Sequence, residues 1–398
     1  MKKTGDNMNI LYTSCFPEKV FFDVVKSGRL YSHAAQKFNS LFVKGFCLNG
    51  CNADVILHSD FAIDSEALQE TVDQCKVNYK HLQAQGNVLK RFLKKNLFVN
   101  RVVSQFAKKN PDGAVVVDAL NTLAYSVTKA AKKHGIKIVT VVTDFPNDLI
   151  AENEKLGLKK RLHAKMFYGQ FNYTDLFVLL TENMKERIRR KGIRYLVMNG
   201  ICDSALLQEE RQTYKKDKTV LLYSGGISRK FGAENLIQAF KNIKDDNIEL
   251  HFYGYLTEED PGLAELMESD SRIKFFGSVP NSVILEKQQQ ASFLINPRLV
   301  NGYEYYTKYS FPSKNIEYMV SGTPMITTKL PCVTQEYSDF VYFFENDSVE
   351  GMEETLRYCL ALPEADRAEK GKRAKQFVLN TMNNVIQCKK ILSELGEI

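Results

Sequence analysis

A chain of 398 residues is long enough for two domains with separate cores and too long for a single small binding module. Its 44% hydrophobic and 25% charged residues describe a globular protein, and the lack of any run of 18 uncharged apolar residues excludes a bilayer-spanning helix. The net charge of +7 is unevenly held. Residues 1–208 carry 31 Lys and Arg against 19 Asp and Glu, and residues 209–398 carry 23 against 28. The basic half therefore suits an anionic partner.

In chain order, Lys2 and Lys3 are followed by polar residues, so no secretory signal is predicted and a cytoplasmic location is expected. Strands are predicted at Ile10–Thr13, Val55–His58, Ala114–Val117, Ile138–Val142, Leu176–Leu180 and Tyr195–Met198, with helical patterns between most of them. The first strand leads into Ser14-Cys15-Phe16-Pro17 without a Gly-x-Gly-x-x-Gly, which removes the main support for a nicotinamide dehydrogenase. His33 stands before a helix predicted over 34–48 and is a cleft candidate, although a lone histidine more often has a structural role. The eight cysteines lack the paired spacing of a zinc site and read as reduced thiols, so no metal is expected.

From Val88 to Lys109 an apolar stripe of Leu89, Phe92, Leu93, Leu97, Phe98, Val102 and Phe106 runs between seven Lys and Arg. The pattern fits a helix lying on an anionic leaflet and equally a helix facing a core. Lys159, Lys160, Arg161 and Lys165 would extend the basic surface if folded nearby. Asp118, Asp144 and Asp148 follow predicted strands, where a carboxylate orients a substrate hydroxyl or simply caps a turn. No nucleic-acid module is recognisable, and no nucleic-acid partner is expected.

The polar stretch 208–218 reads as the linker, dividing the chain into an N-terminal domain (1–208) and a C-terminal domain (209–380). A last helix (381–398) is a candidate to pack back on the first domain. The second half repeats the alternation, with strands predicted at Val220–Tyr223, Leu250–Tyr253, Lys274–Phe276, Phe293–Ile295, Met325–Thr327 and Val341–Phe344. Two doubly wound α/β domains follow, with ligands expected beyond the carboxyl ends of the strands and in a cleft between the domains.

After the strand at 220–223, Gly225 and Gly226 allow a bulky anion to approach the backbone, and Arg229 and Lys230 add charge. A diphosphate fits there; so does a plain strand-to-helix turn. No Gly-Lys-Ser/Thr follows, so this is not a P-loop. In Ser310–Ile326, Pro312 suits a first helical turn and Gly322 the position after the last one. Lys314, Glu317 and Ser321 share one face of the implied helix, opposite a packing face of Ile316 and Val320. A carboxylate at Glu317 is placed to accept hydrogen bonds from two ribose hydroxyls, while Ser313 and Lys314 at the helix start meet a phosphate. An exposed Lys–Glu pair on a surface helix is the alternative.

Phe311-Pro312-Ser313-Lys314-x-x-Glu317-Tyr318-x-x-x-Gly322-x-Pro324 resembles the signature of retaining glycosyltransferases of family 4, which have the GT-B fold. The resemblance covers the second half and implies two Rossmann-like domains facing each other across a cleft, the first for the acceptor and the second for a nucleotide-sugar donor. It implies that Glu317 holds the donor ribose, that Arg229 and Lys230 hold the diphosphate, and that Val279 in Gly277–Pro280 lies by the nucleobase. It further implies transfer from a nucleoside diphosphate sugar, read here as a UDP-sugar, with retention and without a metal or other cofactor. Arg229, Lys230 and Asp144 are then the catalytic candidates. The family often has a second Glu eight residues before the ribose carboxylate; here that position is Tyr309, and Glu304 is the nearest upstream acid.

The expected activity is transfer to a hydroxyl of a glycan or lipid-linked acceptor in surface polysaccharide synthesis, with peripheral membrane contact through the basic half. A sugar-nucleotide epimerase of the same build and an inactive glycosyltransferase-like subunit are the competing readings.

Overall fold

A computed structural model describes residues 8–13, 15–27, 32–72, 74–146, 157–208, 218–257, 260 and 262–398. The chain divides into two compact units, one of residues 1–201 with 383–398 and one of residues 202–382.

The first unit is built on an eight-stranded sheet: β1 (Asn9–Thr13), β2 (Asn52–Ser59), β3 (Gln69–Val72), β4 (Cys75–Gln83), β5 (Ala114–Asp118), β6 (Lys137–Val142), β7 (Leu176–Leu179) and β8 (Arg194–Val197). The strand order is β3-β4-β2-β1-β5-β6-β7-β8, and only the β3–β4 pair is antiparallel. Alternate residues face opposite sides. Ile10 and Tyr12 pack with Val20 and Val24 of α1 (Glu18–Lys26), Phe42 and Phe46 of α2 (His33–Leu48), and Ile391 and Leu395 of α13 (Asn384–Gly396). Leu11 faces the other way, toward Val99 and Val103 of α3 (Val88–Lys109) and Val127 and Ala131 of α4 (Ala124–Lys133). Burial on both faces is why these strands read as unbroken apolar runs.

The β3–β4 hairpin is absent from the sequence reading. In β4, buried Val77 and Tyr79 alternate with exposed Lys76, Asn78 and Lys80, the pattern of a strand wet on one face and too polar to register as a buried run.

The chain's last helix, α13, belongs to this first unit. It crosses α2 at Gly45, where a Cβ would lie 2.4 Å from the Asn384 carbonyl oxygen. The Asn49 side-chain amide donates to Val385 O (2.9 Å), Gln387 to Gly200 O (3.1 Å), and Lys137 Nζ to Leu395 O (2.9 Å).

The second unit has six parallel strands: β9 (Thr219–Ile227), β10 (Ile248–Leu256), β11 (Ile273–Phe275), β12 (Phe293–Asn296), β13 (Met325–Thr327) and β14 (Tyr342–Phe343), in the order β11-β10-β9-β12-β13-β14. Helices α6 (Ala233–Asn242), α7 (Gly262–Glu268) and α11 (Val349–Ala361) pack over one core. Helix α10 (Ser313–Ser321) packs instead between α8 (Asn281–Gln290) and α12 (Glu364–Thr381). Strand order reverses between β1 and β5 in the first unit and between β9 and β12 in the second, the places where open α/β sheets bind ligands. Among the described residues, no helix is long and apolar enough to cross a membrane.

Replacing Gly45 by Leu should overpack the α2–α13 contact, at a cost of about 1–3 kcal/mol. Calorimetry of the full chain should show a melting transition lower by about 2–4 °C for each kcal/mol. An unchanged transition would mean that α13 is not held through this crossing.

Candidate active site

Strand β9 does not stop at Tyr223. It continues through Gly225 and Gly226 to Ile227, paired with β10 as far as Leu256, so the two glycines expected in a turn form the end of a strand. Gly225 and its partner Gly254 both have positive φ, at 125° and 133°, and a Cβ at Gly254 would lie 1.9 Å from Gly225 O. Positive φ favours glycine at both positions, and at Gly254 the approach of the Gly225 backbone leaves no room for a side chain.

On its other edge, β9 pairs with β12 only at Leu221 and Leu222. Beyond them the strand's polar groups bond to side chains of α10. Tyr318, fully buried, receives a hydrogen bond from Ser224 N at its hydroxyl (2.8 Å) and lies 3.1 Å from Ser224 Oγ. One turn earlier, Lys314 reaches across the strand, with Nζ 3.1 Å from Tyr223 Oη and 4.2 Å from the Tyr223 ring centroid. A Cβ at Gly225 would sit 2.2 Å from that ammonium, so Gly225 also clears the path of the lysine. The Tyr223 hydroxyl in turn donates to Gly226 O (2.5 Å).

Glu317 lies one turn after Lys314, half-buried, with Oε1 accepting from Gln288 Nε2 (2.9 Å). Gln288 is completely buried; its amide also lies 3.3 Å from Ser224 Oγ, and its backbone oxygen accepts from Thr323 Oγ1 (2.8 Å). Gln288 therefore fixes the orientation of the carboxylate and ties α8 to α10. The expected polar face of α10 needs correction. Ser321 is buried, donating to Tyr318 O (2.6 Å) and accepting from Thr323 N (3.1 Å), so it closes the helix instead of joining Lys314 and Glu317. Ile316, Tyr318 and Met319 pack, whereas Val320 is only half-buried. Pro312 is the N-cap, and Gly322 closes the helix at φ 75°.

Burial lowers the Lys314 ammonium to about 7, from an ordinary 10.5. The nearby Arg298 guanidinium pushes in the same direction, and Glu317 opposes both. Arg298 follows β12 and stacks on the Phe231 ring at 4.8 Å. The sequence reading missed it, although a cation two residues past a strand end at the switch point is where the strand-end rule directs attention. Asp347 shapes its loop, accepting from Val300 N (2.7 Å), Asn301 N (2.9 Å) and Asn301 Nδ2 (2.6 Å).

Arg229 and Lys230 lie in a short 3₁₀ turn after β9. Arg229 is exposed and bound to two acids, through Nε to Glu234 (2.6 Å) and Nη1 to Asp260 (3.3 Å). These pairs raise its already high pKa and occupy part of its donor set. Lys230 Nζ lies 6.0 Å from the Phe231 ring centroid. Val279 is half-buried before α8, in the loop whose Gly277 O accepts from Gly254 N (2.8 Å). Ser313 is the exposed first residue of α10. Glu304 is exposed at the start of α9 (Glu304–Tyr309); its own backbone N–H, and then Gly302 N (3.0 Å), lower its pKa as a capping role would.

In the first unit Asp118 ends β5 at the switch point, nearly buried. It accepts from Asn39 Nδ2 (3.1 Å) and Leu120 N (3.0 Å), while Asn39 Oδ1 accepts from the Tyr12 hydroxyl (2.6 Å). Burial raises its pKa against the lowering effect of these donors. His58, at the end of β2, lies 2.6 Å from Thr122 Oγ1 and 2.9 Å from Lys95 Nζ; burial and that cation lower it to about 4, leaving it a neutral acceptor. Asp144 accepts from the next backbone N–H, of Phe145 (2.8 Å), as a turn carboxylate does. His33 is the exposed first residue of α2, edge-on to Phe21 at 5.1 Å. Asp148 lies outside the described residues.

Residues 207–377, most of the second unit, match the family of glycosyl transferases group 1. A probable glycosyltransferase, WbjE, of Pseudomonas aeruginosa is 23% identical over 185 residues, 42% of this chain and 46% of that protein. The chain thus spans about half the length of this curated relative. Solved structures match nearly end to end. A glycosyltransferase from Rickettsia africae ESF-5 has a TM-score of 0.66 at 16% identity, covering 98% of both chains. Sucrose-phosphate synthase of Thermosynechococcus elongatus scores 0.65 at 14%, covering 98% of this chain and 99% of its own. Anabaena HepE, solved in complex with UDP and glucose, scores 0.62 at 13%, covering 98% of this chain and 100% of its own. The fold is GT-B.

The lowered Lys314 has a measurable consequence. Between about 7 and 10.5 the unfolded chain holds a proton at this lysine that the folded chain lacks, so stability contributed here rises with pH across that window. Lys314→Met should flatten this rise in urea titrations of the full chain at pH 7, 8 and 9. A slope unchanged by the substitution would contradict the burial of the ammonium.

Proposed function

We propose that the chain is a glycosyltransferase that moves a sugar from a nucleoside diphosphate sugar, read as a UDP-sugar, to an acceptor hydroxyl with retention of anomeric configuration. The observation that carries this reading is the convergence on the β9 strand end: the Lys314 ammonium lying over Gly225, the Arg298 guanidinium near it, and the oriented carboxylate of Glu317. Two neighbouring cations at a strand end suit a diphosphate, and a fixed carboxylate suits two vicinal ribose hydroxyls. The family match over residues 207–377 and the UDP carried by HepE support the same reading.

In this reaction the bond between the anomeric carbon and the β-phosphate oxygen breaks, and the acceptor oxygen bonds to that carbon. The acceptor proton passes to the departing diphosphate, whose charge Lys314 and Arg298 stabilise. A lysine near neutrality when the site is empty takes up a proton as the dianion arrives, so binding strengthens the very charge it needs. No metal is assigned a step. The acceptor is read as a glycan or lipid-linked glycoconjugate of a surface polysaccharide. Asp118 and Asp144 are read as residues that orient a substrate hydroxyl, in the unit whose excess charge is basic.

Titration calorimetry with UDP tests the donor site. Glu317→Ala removes a charged acceptor for two hydroxyls and should cost about 2–4 kcal/mol, or roughly 30- to 1,000-fold in affinity. Unchanged affinity with an intact fold would remove the ribose assignment. Conversion of a UDP-sugar to an isomer without acceptor would favour an epimerase, and failure to release UDP from any donor would favour an inactive relative, as Tyr309 in the place of an acid suggests.

A further inference from the structure

Helix α3 is two different helices in sequence. Its later turns are core: Phe98, Val99, Val102, Val103 and Phe106 are all buried. Its first three turns present Val88, Leu89, Phe92, Leu93 and Leu97 to solvent, at 75, 67, 49, 52 and 73% exposure. The apolar stripe seen in the sequence is thus explained by packing only from Phe98 onward.

The exposed part is well formed. Asn87 Oδ1 caps it by accepting from Lys90 N (2.9 Å). Asn96 Oδ1 accepts from Ser126 Oγ of α4 (2.7 Å), and Lys95 is held at His58. At about 100° per residue, the five apolar side chains span roughly half of the helix circumference, and Lys90, Lys94 and Arg101 follow one border of that band. Lys90, Arg91 and Lys94 are exposed, and residues 88–109 contain no acid at all.

We propose that the first three turns of α3 dock on an anionic lipid surface, with the apolar band entering the headgroup region and the flanking cations meeting lipid phosphates. Leu and Phe on one side with Lys and Arg beside them, on a helix of low mean hydropathy, match a helix lying in an interface rather than crossing it. The charge argues against a second copy of the chain as the occupant. A symmetric pairing through this face would set Lys90, Arg91 and Lys94 of one copy against the same residues of the other, with no acid on α3 to offset them. Helix α5 (Leu158–Gly169), packed beside α4, adds exposed Lys160, Arg161 and Leu162 to the basic unit.

Flotation of the full chain with vesicles tests this. Phosphatidylglycerol vesicles should bind the protein roughly tenfold or more tightly than phosphatidylcholine vesicles, and the difference should shrink as salt rises. The triple variant Leu89→Ser, Leu93→Ser, Leu97→Ser should lose binding to both, and Lys90→Glu with Lys94→Glu should lose the preference for the anionic lipid. Both variants change exposed side chains only, and retained UDP binding and melting temperature show that they fold. Failure of the natural chain to float with phosphatidylglycerol overturns the proposal, as does undiminished flotation of the triple variant. Self-association by light scattering that the triple variant abolishes, without vesicle binding by the natural chain, overturns it in favour of a second copy.

Discussion

The candidate donor site depends on how closely two strands and one lysine approach one another at the end of β9. Gly225 and Gly254 lie so close that a methyl group at Gly254 would meet a carbonyl oxygen, and the space left by the missing side chain of Gly225 is filled by the Lys314 ammonium. The usual reading of paired glycines is a loop that admits a phosphate. Here the glycines remain in the sheet and serve two purposes: they let neighbouring strands stay in register with positive φ, and they let a cation from a helix cross the strand end. Everything else at the site is arranged about that crossing. Tyr318 takes the Ser224 N–H that β12 no longer pairs with, and so holds α10 at the height where Lys314 and Glu317 face the strand end.

Such an arrangement is electrostatically unfavourable when empty. Two cations near each other, one of them desolvated, weaken one another, and Lys314 responds by shedding its proton more easily. Glu317 offsets part of this but is committed to Gln288, whose side-chain oxygen Oε1 is buried with no hydrogen-bond partner among the described residues. Unmade hydrogen bonds of that kind cost about 1–3 kcal/mol. The site thus holds unfavourable terms that a dianionic ligand with vicinal hydroxyls would relieve, as expected of a preorganised binding site and not of a surface helix chosen for stability alone.

Much of this organisation was legible because buried parallel strands and their intervening helices have strong local signatures. Runs such as Ala114–Val117 and Leu176–Leu179 are apolar on both faces and could hardly be anything else. Gly322 after a short amphipathic helix marked the end of α10 to the residue. What escaped was whatever depends on partners distant in sequence. The β3–β4 hairpin is stabilised at a sheet margin, and its polar alternation carries no signal of burial on its own. The continuation of β9 through two glycines depends on Gly254, some 30 residues away. Arg298 is unremarkable as sequence, and only strand order, with β12 beside β9, brings it near Lys314.

The same distinction separates the carboxylates of the first unit. Asp118 and Asp144 look alike in sequence, each following a buried strand. Asp144 accepts from its neighbour's N–H, a local bond that any turn carboxylate makes. Asp118 stands where strand order reverses, held by Asn39 from a helix 79 residues away, with Asn39 itself fixed by Tyr12. Burial raises the pKa of this acid and two donors restrain it, so the fold holds a desolvated carboxyl where apolar packing would cost less. Strand order therefore makes Asp118 a stronger candidate than Asp144 for a residue facing a ligand of the first unit, an ordering that local sequence gave no means to make.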